Sequence, residues 1–259
     1  TENKDKQIYF LCAMPRSGNT LFSSLMNQNP DIAVTANSIT LEIMKELFLL
    51  KKKDVFQNFP DEQSLNNVMD EVYNLYYKNW NYKAIIDRGP VCTPGNLMVM
   101  QKHFKQPIRC VVLVRDLLDV LASYIKWFEN EPTAFPNQFK TIDEKLSHIM
   151  HINGAVSKEL QSIQYLSQHH DMAVFVKYDD LVTQPEKELR KVYNFLNLPY
   201  YPHTFINLNQ LVVNGVQYND SIVGKNMHTI RTEKVMKVEN KYKNKIPERF
   251  VKEYGHITF

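Results

Sequence analysis

The chain alternates short apolar runs with longer segments in which apolar residues recur every three or four positions. The short runs are typical of buried parallel strands, and the longer segments are typical of amphipathic helices. The pattern predicts strands over 7–14, 82–87, 108–114 and 172–176, and helices over 20–28, 38–53, 61–80, 94–104, 116–128, 142–167 and 186–196. Strands that alternate with helices predict an α/β layered fold, with a central and mostly parallel sheet flanked by helices.

The helices predicted over 38–53 and 61–80 form an insert, 38–80, between the first two predicted strands. Each helix should bury the stripe on which its apolar residues recur. The predicted inward residues are Ile39, Ile43, Leu47 and Leu50 in the first helix, and Leu65, Val68, Val72, Leu75 and Tyr76 in the second. We interpret the insert as a lid or as a substrate wall.

The rest of the chain gives no sign of a second domain. It contains no internal repeat and no low-complexity linker, and its 259 residues are within the range of one domain. After Pro199 the pattern loosens into loops rich in Asn and Tyr, with a basic stretch over 225–245. We therefore expect a single domain over 1–259.

Composition narrows the possible function classes. The net charge is only +3, which gives no broad electrostatic case for nucleic-acid binding.

Cys12 and Cys110 lie in strand-like apolar runs, so these residues and Cys92 are expected to be buried thiols rather than a disulfide frame. The polar start of the chain leads directly into a strand, and no apolar run approaches the roughly 18 residues of a membrane span. We expect a cytoplasmic protein without a signal peptide or a span.

A glycine-containing loop joins the first predicted strand to the first helix. It reads PRSGNT over 15–20 and keeps the final Gly and Thr spacing of the nucleotide-binding loop G-x-x-x-x-G-K-[ST]. Asn19 replaces the lysine of that loop, and the strong cation is Arg16 instead. Backbone amides, the helix N-terminus and the hydroxyls of Ser17 and Thr20 favour a phosphate-like anion, whereas the missing lysine disfavours ATP–Mg²⁺ chemistry. An ordinary strand–helix turn with a surface arginine is the alternative.

A second candidate anion site follows the strand predicted over 108–114. Arg115 ends that strand, and Ser123 lies almost two turns into the next helix, for which Asp116 is the predicted N-cap. A guanidinium and a hydroxyl at the carboxyl end of a strand lie where open α/β sheets bind ligands. Taken alone, Arg115 is equally well explained as the partner of a salt bridge.

Together the two segments resemble a known family. PRSGNTL followed by LVRDLLDVLASY is similar to the sulfotransferases that use 3′-phosphoadenosine 5′-phosphosulfate (PAPS). The resemblance implies a P-loop NTPase-like fold and a donor site in two parts. In the first part, Arg16, Ser17, Gly18, Asn19, Thr20 and Leu21 bind the 5′-phosphosulfate; in the second, Arg115 and Ser123 bind the 3′-phosphate. VKYDDLVTQP resembles a further family segment, which implies that Tyr178 contacts the adenosine.

The resemblance is closest to the branch that includes tyrosylprotein and many bacterial sulfotransferases. A lysine of that branch, which stabilises the reacting sulfate, is replaced here by Arg88. The glutamate base of the tyrosylprotein enzymes and the histidine base of the cytosolic steroid and phenol enzymes are not visible. Asp87 is a candidate base, although an adjacent cation lowers basicity and the residue could instead orient Arg88. His228 and Glu42 are the other candidate bases.

The C-terminal basic stretch adds two residues. In the related branch this region contacts the 5′-phosphosulfate, and Arg231 or Lys234 could do so here. A solvated basic face is the alternative for both. The histidines are scattered or adjacent, so no metal site is expected.

The resemblance implies metal-independent, in-line transfer of a sulfuryl group from PAPS to a hydroxyl or amine acceptor. Two other functions stay open: a P-loop kinase for a nucleotide or metabolite, and a catalytically silent nucleotide-binding module. The acceptor is not specified by the sequence, although the missing glutamate argues against the usual tyrosylprotein mechanism. The expected partners are the nucleotide donor and the acceptor.

Overall fold

The computed structural model describes residues 6–35, 38–131, 138–210, 212–222, 228–230, 233–236 and 241–259. Its strands are β1 (Gln7–Ala13), β2 (Ile32–Val34), β3 (Ala84–Arg88), β4 (Cys110–Val114), β5 (Ala173–Lys177), β6 (Val212–Val213) and β7 (Val216–Gln217). Its helices are α1 (Asn19–Met26), α2 (Thr40–Leu50), α3 (Asp54–Asn58), α4 (Glu62–Tyr76), α5 (Pro94–His103), α6 (Leu117–Asn130), α7 (Ile142–Met150), α8 (Ala155–Leu166), α9 (Tyr178–Thr183), α10 (Pro185–Leu196) and α11 (Glu248–Tyr254).

The first five strands form one parallel sheet in the order β2-β3-β1-β4-β5, which confirms the predicted central sheet. β1 lies in the middle, where Phe10 is in register with Asp87 of β3 and Cys110 of β4. The carboxyl ends of these strands therefore meet at one edge of the sheet. β6 and β7 form a separate antiparallel hairpin, which the sequence pattern does not predict.

Helices cover both faces of the sheet, because strand residues alternate between the two sides. On one face, Phe10 and Cys12 of β1 belong to a core cluster with buried residues of α4, α5, α6, α7 and α8. On the other face, Leu11 and Ala13 pack in a cluster with buried residues of α1, α9 and α10. This is the helix–sheet–helix layering that the alternation of strands and helices predicts.

The helix predicted over 142–167 is wrong as a single element. The structure divides it into α7 and α8, and Gly154 is the N-cap residue of α8. A Cβ atom at Gly154 would lie 2.3 Å from the carbonyl oxygen of Ile149, so the chain reverses here with a close backbone approach that a side chain would block. The apolar spacing continues across the break and hides it.

The insert also differs from the prediction. The edge strand β2 precedes it, so the insert connects β2 to β3; three apolar residues are too short a run to signal a strand. The inward stripes are wrong in part, since Ile39 is 56% and Val68 52% exposed. Three more of the residues predicted to face inward are also exposed, namely Leu50, Leu75 and Tyr76. The buried residues are Thr40, Leu41 and Met44 of α2, and Met69, Val72 and Tyr73 of α4.

The cysteines and the start of α6 are as the sequence predicts. Cys12, Cys92 and Cys110 are buried and free, as predicted. Asp116 is the N-cap of α6, where its side chain accepts a hydrogen bond from the Asp119 amide. Within the described ranges, none of the helices has both the length and the apolar character needed to cross a bilayer.

Candidate functional site

The loop between β1 and α1 is closed by its own backbone and by Asn19. The Ser17 amide and the Asn19 side-chain amide both donate to the Met14 carbonyl oxygen, at 3.2 Å and 3.1 Å. Asn19 therefore braces the loop. Ser17 is fully buried, and its hydroxyl has no partner among the described residues. The first amides of a helix have no acceptor within it, so this loop presents donors to an anion.

Two loop residues have the left-handed backbone conformation. Gly18, the N-cap of α1, has a φ of 91°, and Arg16 has a φ of 69°. A Cβ atom at Gly18 would lie 2.8 Å from Cδ2 of Tyr178, so both the backbone and the neighbouring ring require glycine. For arginine the same conformation is strained, and such strain concentrates at functional sites.

The loop meets residues that follow β4 and β5 in a cluster that we name the arginine corner (Arg16, Arg115, Ser123 and Tyr178). Arg16 Nε donates to Ser123 Oγ at 3.0 Å, and Arg115 Nη1 donates to the Arg16 carbonyl oxygen at 2.9 Å. The Arg115 guanidinium lies 4.3 Å from the centre of the Tyr178 ring. Three segments that are far apart in sequence therefore converge, because β1, β4 and β5 end side by side.

The arginine corner is half-buried and positive. Burial lowers the pKa of Arg16; nearby Tyr124 raises it, and Arg115 lowers it further. Arg115 Nε is buried and makes no hydrogen bond within the described part of the chain. The Ser17 hydroxyl of the loop is a second buried donor without a partner among the described residues. This donor set fits a phosphate or sulfate group.

Arg88, at the end of β3, contacts the same region from the other side of β1. Its Nη2 atom donates to the Ala13 carbonyl oxygen at 3.2 Å and lies 3.4 Å from Oε1 of Glu159. Sequence reasoning missed Glu159, which is only 5% exposed on α8. The available signal was its spacing, since Glu159 lies three residues after Val156 and four before Ile163, on an apolar helix stripe.

Asp87 lies at the centre of a hydroxyl network that we name the Asp87 anchor (Thr35, Thr40, Tyr77 and Asp87). Its Oδ1 atom accepts from Thr35 Oγ1 at 2.9 Å and Tyr77 Oη at 2.8 Å, and its Oδ2 atom accepts from Thr40 Oγ1. Burial raises the pKa of Asp87, whereas these hydroxyl donors lower it. The network attaches α2 and the end of α4 to the sheet, and Thr35 Oγ1 also accepts from the Arg88 amide. A catalytic role for Asp87 stays a prediction.

The other candidate residues lie away from these contacts. His228 Nδ1 pairs with Asp220 at 2.5 Å, and its ring stacks on Tyr218; neither partner belongs to the arginine corner. Lys234 is exposed, and its backbone pairs with Ile206. Glu42 is exposed and pairs with Lys45. Their catalytic or binding roles stay predictions.

Thr20, Leu21 and Arg231 are the remaining residues that the resemblance assigns to donor binding. Thr20 lies half-buried in the first turn of α1. Leu21 packs against the core on the face of the sheet that α1, α9 and α10 cover. Arg231 lies outside the described residues. Within the described ranges, no group of three or more His, Cys, Asp or Glu side chains could hold a metal ion.

The family model described as "Sulfotransferase family" matches residues 9–202. The chain belongs to the sulfotransferase family. The match begins in β1 and ends after α10, so it includes the loop and all four residues of the arginine corner. No curated protein matches the chain in sequence.

Solved structures resemble the chain in fold. The sulfotransferase domain from the curacin biosynthetic pathway has a TM-score of 0.53 at 16% identity, covering 99% of this chain and 99% of that one. The sulfotransferase domain of the Synechococcus PCC 7002 olefin synthase has a TM-score of 0.52 at 17% identity, covering 78% of this chain and 77% of that one. The predicted P-loop NTPase-like fold is confirmed.

Proposed function

We propose that this chain transfers a sulfuryl group from PAPS to a hydroxyl or amine acceptor, without a metal ion. The observation that carries the proposal is the hydrogen bond from Arg16 to Ser123, which joins the two anion sites that the motifs predict. A nucleotide with phosphate groups at both its 3′ and 5′ positions needs two such sites within one ligand length. Family membership supports sulfuryl transfer in general.

The residues of the arginine corner have separate roles in this proposal. The α1 amides, Ser17 and Arg16 bind the 5′ end, where negative charge develops on the leaving phosphate oxygen. Arg115 and Ser123 bind the 3′-phosphate, and the Tyr178 ring lies against the adenosine. In-line transfer forms a bond from sulfur to the acceptor oxygen or nitrogen as the bond from sulfur to the leaving phosphate oxygen breaks. Such loose transition states depend mainly on positioning and charge stabilisation.

Arg88 is proposed to stabilise the sulfuryl group from the β3 side. Its contact with the Ala13 carbonyl oxygen holds it beside the start of the loop. The insert 38–80 is proposed to form the acceptor wall next to it, since a Cβ atom at Gly89 would lie 3.2 Å from the Leu41 side chain of α2. The acceptor proton passes to a base that the sequence does not specify.

Ligand-dependent melting tests the donor. Adenosine 3′,5′-bisphosphate, the product of the donor, should stabilise the protein by about 2.7 kcal/mol when present at 100 times its dissociation constant, without added Mg²⁺. Adenosine 5′-monophosphate, which lacks the 3′-phosphate, is the matched control. At the same concentration it should raise the melting temperature less. A larger shift with ATP and Mg²⁺ would indicate a kinase and contradict the proposal.

A transfer assay tests the reaction itself. Labelled PAPS is incubated with pooled hydroxyl and amine acceptors, and transfer is detected as a gain in mass. Transfer that is unchanged by a metal chelator would support metal independence. Binding of the bisphosphate without transfer to any acceptor in a broad panel would favour the silent nucleotide-binding module.

A further inference from the structure

Glu159 is a buried acid beside the cation that the proposed function places at the sulfuryl group. It lies on the buried face of α8, and its Oε1 atom is 3.4 Å from Arg88 Nη2. Its other carboxyl oxygen, Oε2, is buried and makes no hydrogen bond within the described residues. Arg88 is 15% exposed at its side chain, so this pair is largely shielded from water.

The same pair is electrostatically linked to the loop. Burial raises the pKa of the Tyr124 hydroxyl on α6, the charges of Arg16 and Arg88 lower it, and the charge of Glu159 raises it, so the acid shares the charged neighbourhood of the loop. Arg88 also donates to the Ala13 carbonyl oxygen, where β1 leads into the loop. An anion in the loop and an ionised Glu159 would therefore attract the same guanidinium.

We propose that Glu159 is a positioning residue that competes with the bound donor for Arg88, so that donor binding depends on whether Glu159 carries a proton. The inference rests on the proposed function. When Glu159 is neutral, the charge of Arg88 is available to the anion. When Glu159 is ionised, it holds Arg88, and donor binding requires the uptake of one proton by its carboxylate.

The surroundings favour Glu159 as the titrating group. Burial raises the pKa of Glu159 to about 8, with Arg88 lowering it and Cys12 of β1 raising it. A hydrogen bond with Cys110 lowers the pKa of Cys12, but its hydrogen bond with Cys92 and burial raise it to about 12. Burial likewise raises the pKa of Tyr124 to about 12, against the charge of Arg16.

The titratable groups of α7, the helix packed beside α8, have partners elsewhere. Asp143 pairs with Arg249, and Glu144 closes a capping box with Thr141. Lys145 lies over the Phe128 ring, and His148 packs against the Phe139 ring. Glu159 is therefore the group beside Arg88 whose raised pKa, about 8, brings its titration into the mildly alkaline range.

Calorimetric titration with adenosine 3′,5′-bisphosphate tests the inference. For the wild type, affinity should fall roughly eight-fold between about pH 7.5 and about pH 9, because the ionised fraction of a group with a pKa near 8 rises over that range. Glu159→Gln should bind with nearly the same affinity at both pH values. At the higher pH it should bind more tightly than the wild type, which a merely structural role would not produce.

Glu188→Gln is the matched control. Glu188 is also a buried glutamate on a helix, but it pairs with Lys191 on α10, away from Arg88. This variant should keep the pH dependence of the wild type. A pH dependence that persists in Glu159→Gln, or equal weakening at both pH values, would overturn the inference.

Proton uptake by the wild type provides a second measurement if Glu159→Gln does not fold. Titrations at about pH 9 in buffers with different ionisation enthalpies should report uptake of close to one proton per bisphosphate bound. No uptake would overturn the inference while leaving the proposed function intact. No binding at any pH would instead contradict the proposed function.

Discussion

The arginine corner and the Asp87 anchor lie at the same edge of the sheet but treat polar groups in opposite ways. In the arginine corner, Arg115 Nε is buried without a partner in the described chain, and the same holds for the Ser17 hydroxyl, which follows Arg16 in the loop. In the Asp87 anchor, three hydroxyls donate to one carboxylate and occupy both of its oxygens. Unpaired buried donors cost free energy unless a ligand uses them, whereas a satisfied network stabilises the fold.

A substitution should therefore have different consequences in the arginine corner and in the Asp87 anchor. Substitutions in the arginine corner should reduce binding or transfer with little loss of stability. Substitutions in the Asp87 anchor should reduce stability first.

The largest effect is expected for Arg16→Ala. Removing a cation that stabilises developing charge should lower kcat/KM for sulfuryl transfer by about 10²–10³-fold. The melting temperature should stay close to that of the wild type. Arg190→Ala is the control, since Arg190 is an exposed cation that pairs with Glu186 on α10. A loss of transfer in both variants, or in neither, would contradict the assignment.

Asp87→Ala should act mainly on the free energy of unfolding. It leaves the hydroxyls of Thr35, Thr40 and Tyr77 without their shared acceptor, at a cost of about 3 kcal/mol if each loses about 1 kcal/mol. Denaturant unfolding measures the loss. Bisphosphate affinity, measured where the variant is still folded, should change less than in Ser123→Ala. The opposite ranking would show that the Asp87 anchor belongs to the binding site.

Ser123→Ala should give the smallest of the three effects. It removes one hydroxyl near a charged group, which corresponds to roughly ten-fold weaker bisphosphate binding. The expected split is a higher KM for the donor with little change in kcat. Ser147→Ala is a suitable control, because Ser147 is a helix serine whose hydroxyl donates to a backbone carbonyl oxygen in α7. A change confined to kcat would contradict a role in donor binding.

The sequence predicts the sheet and the arginine corner better than it predicts the insert. Arg16 and Ser123 are 107 positions apart, yet each follows a strongly apolar strand, and adjacent parallel strands bring their carboxyl ends together. The inward stripes of α2 and α4 were partly wrong because both helices also carry apolar residues on exposed positions, such as Ile39 and Val68. Which stripe is buried depends on tertiary contacts, and periodicity alone does not contain them.

Glu159 shows a different limit of sequence reasoning. A glutamate within an apolar helix stripe signals an unusual burial, but the signal does not identify its partner. Arg88 is 71 positions away, and the pairing depends on how α8 packs across β1. The segment was also hidden inside a helix predicted to run unbroken over 142–167.

The crowding around Gly18 ties the loop to a segment 160 positions later in the chain. Replacing Tyr178 with a smaller residue would free space for a methyl group at position 18, but it would not remove the penalty of the left-handed backbone. A smaller residue at position 178 therefore relieves only the steric part of the cost of replacing Gly18, and the backbone part remains. Any redesign of this loop should therefore leave Gly18 unchanged.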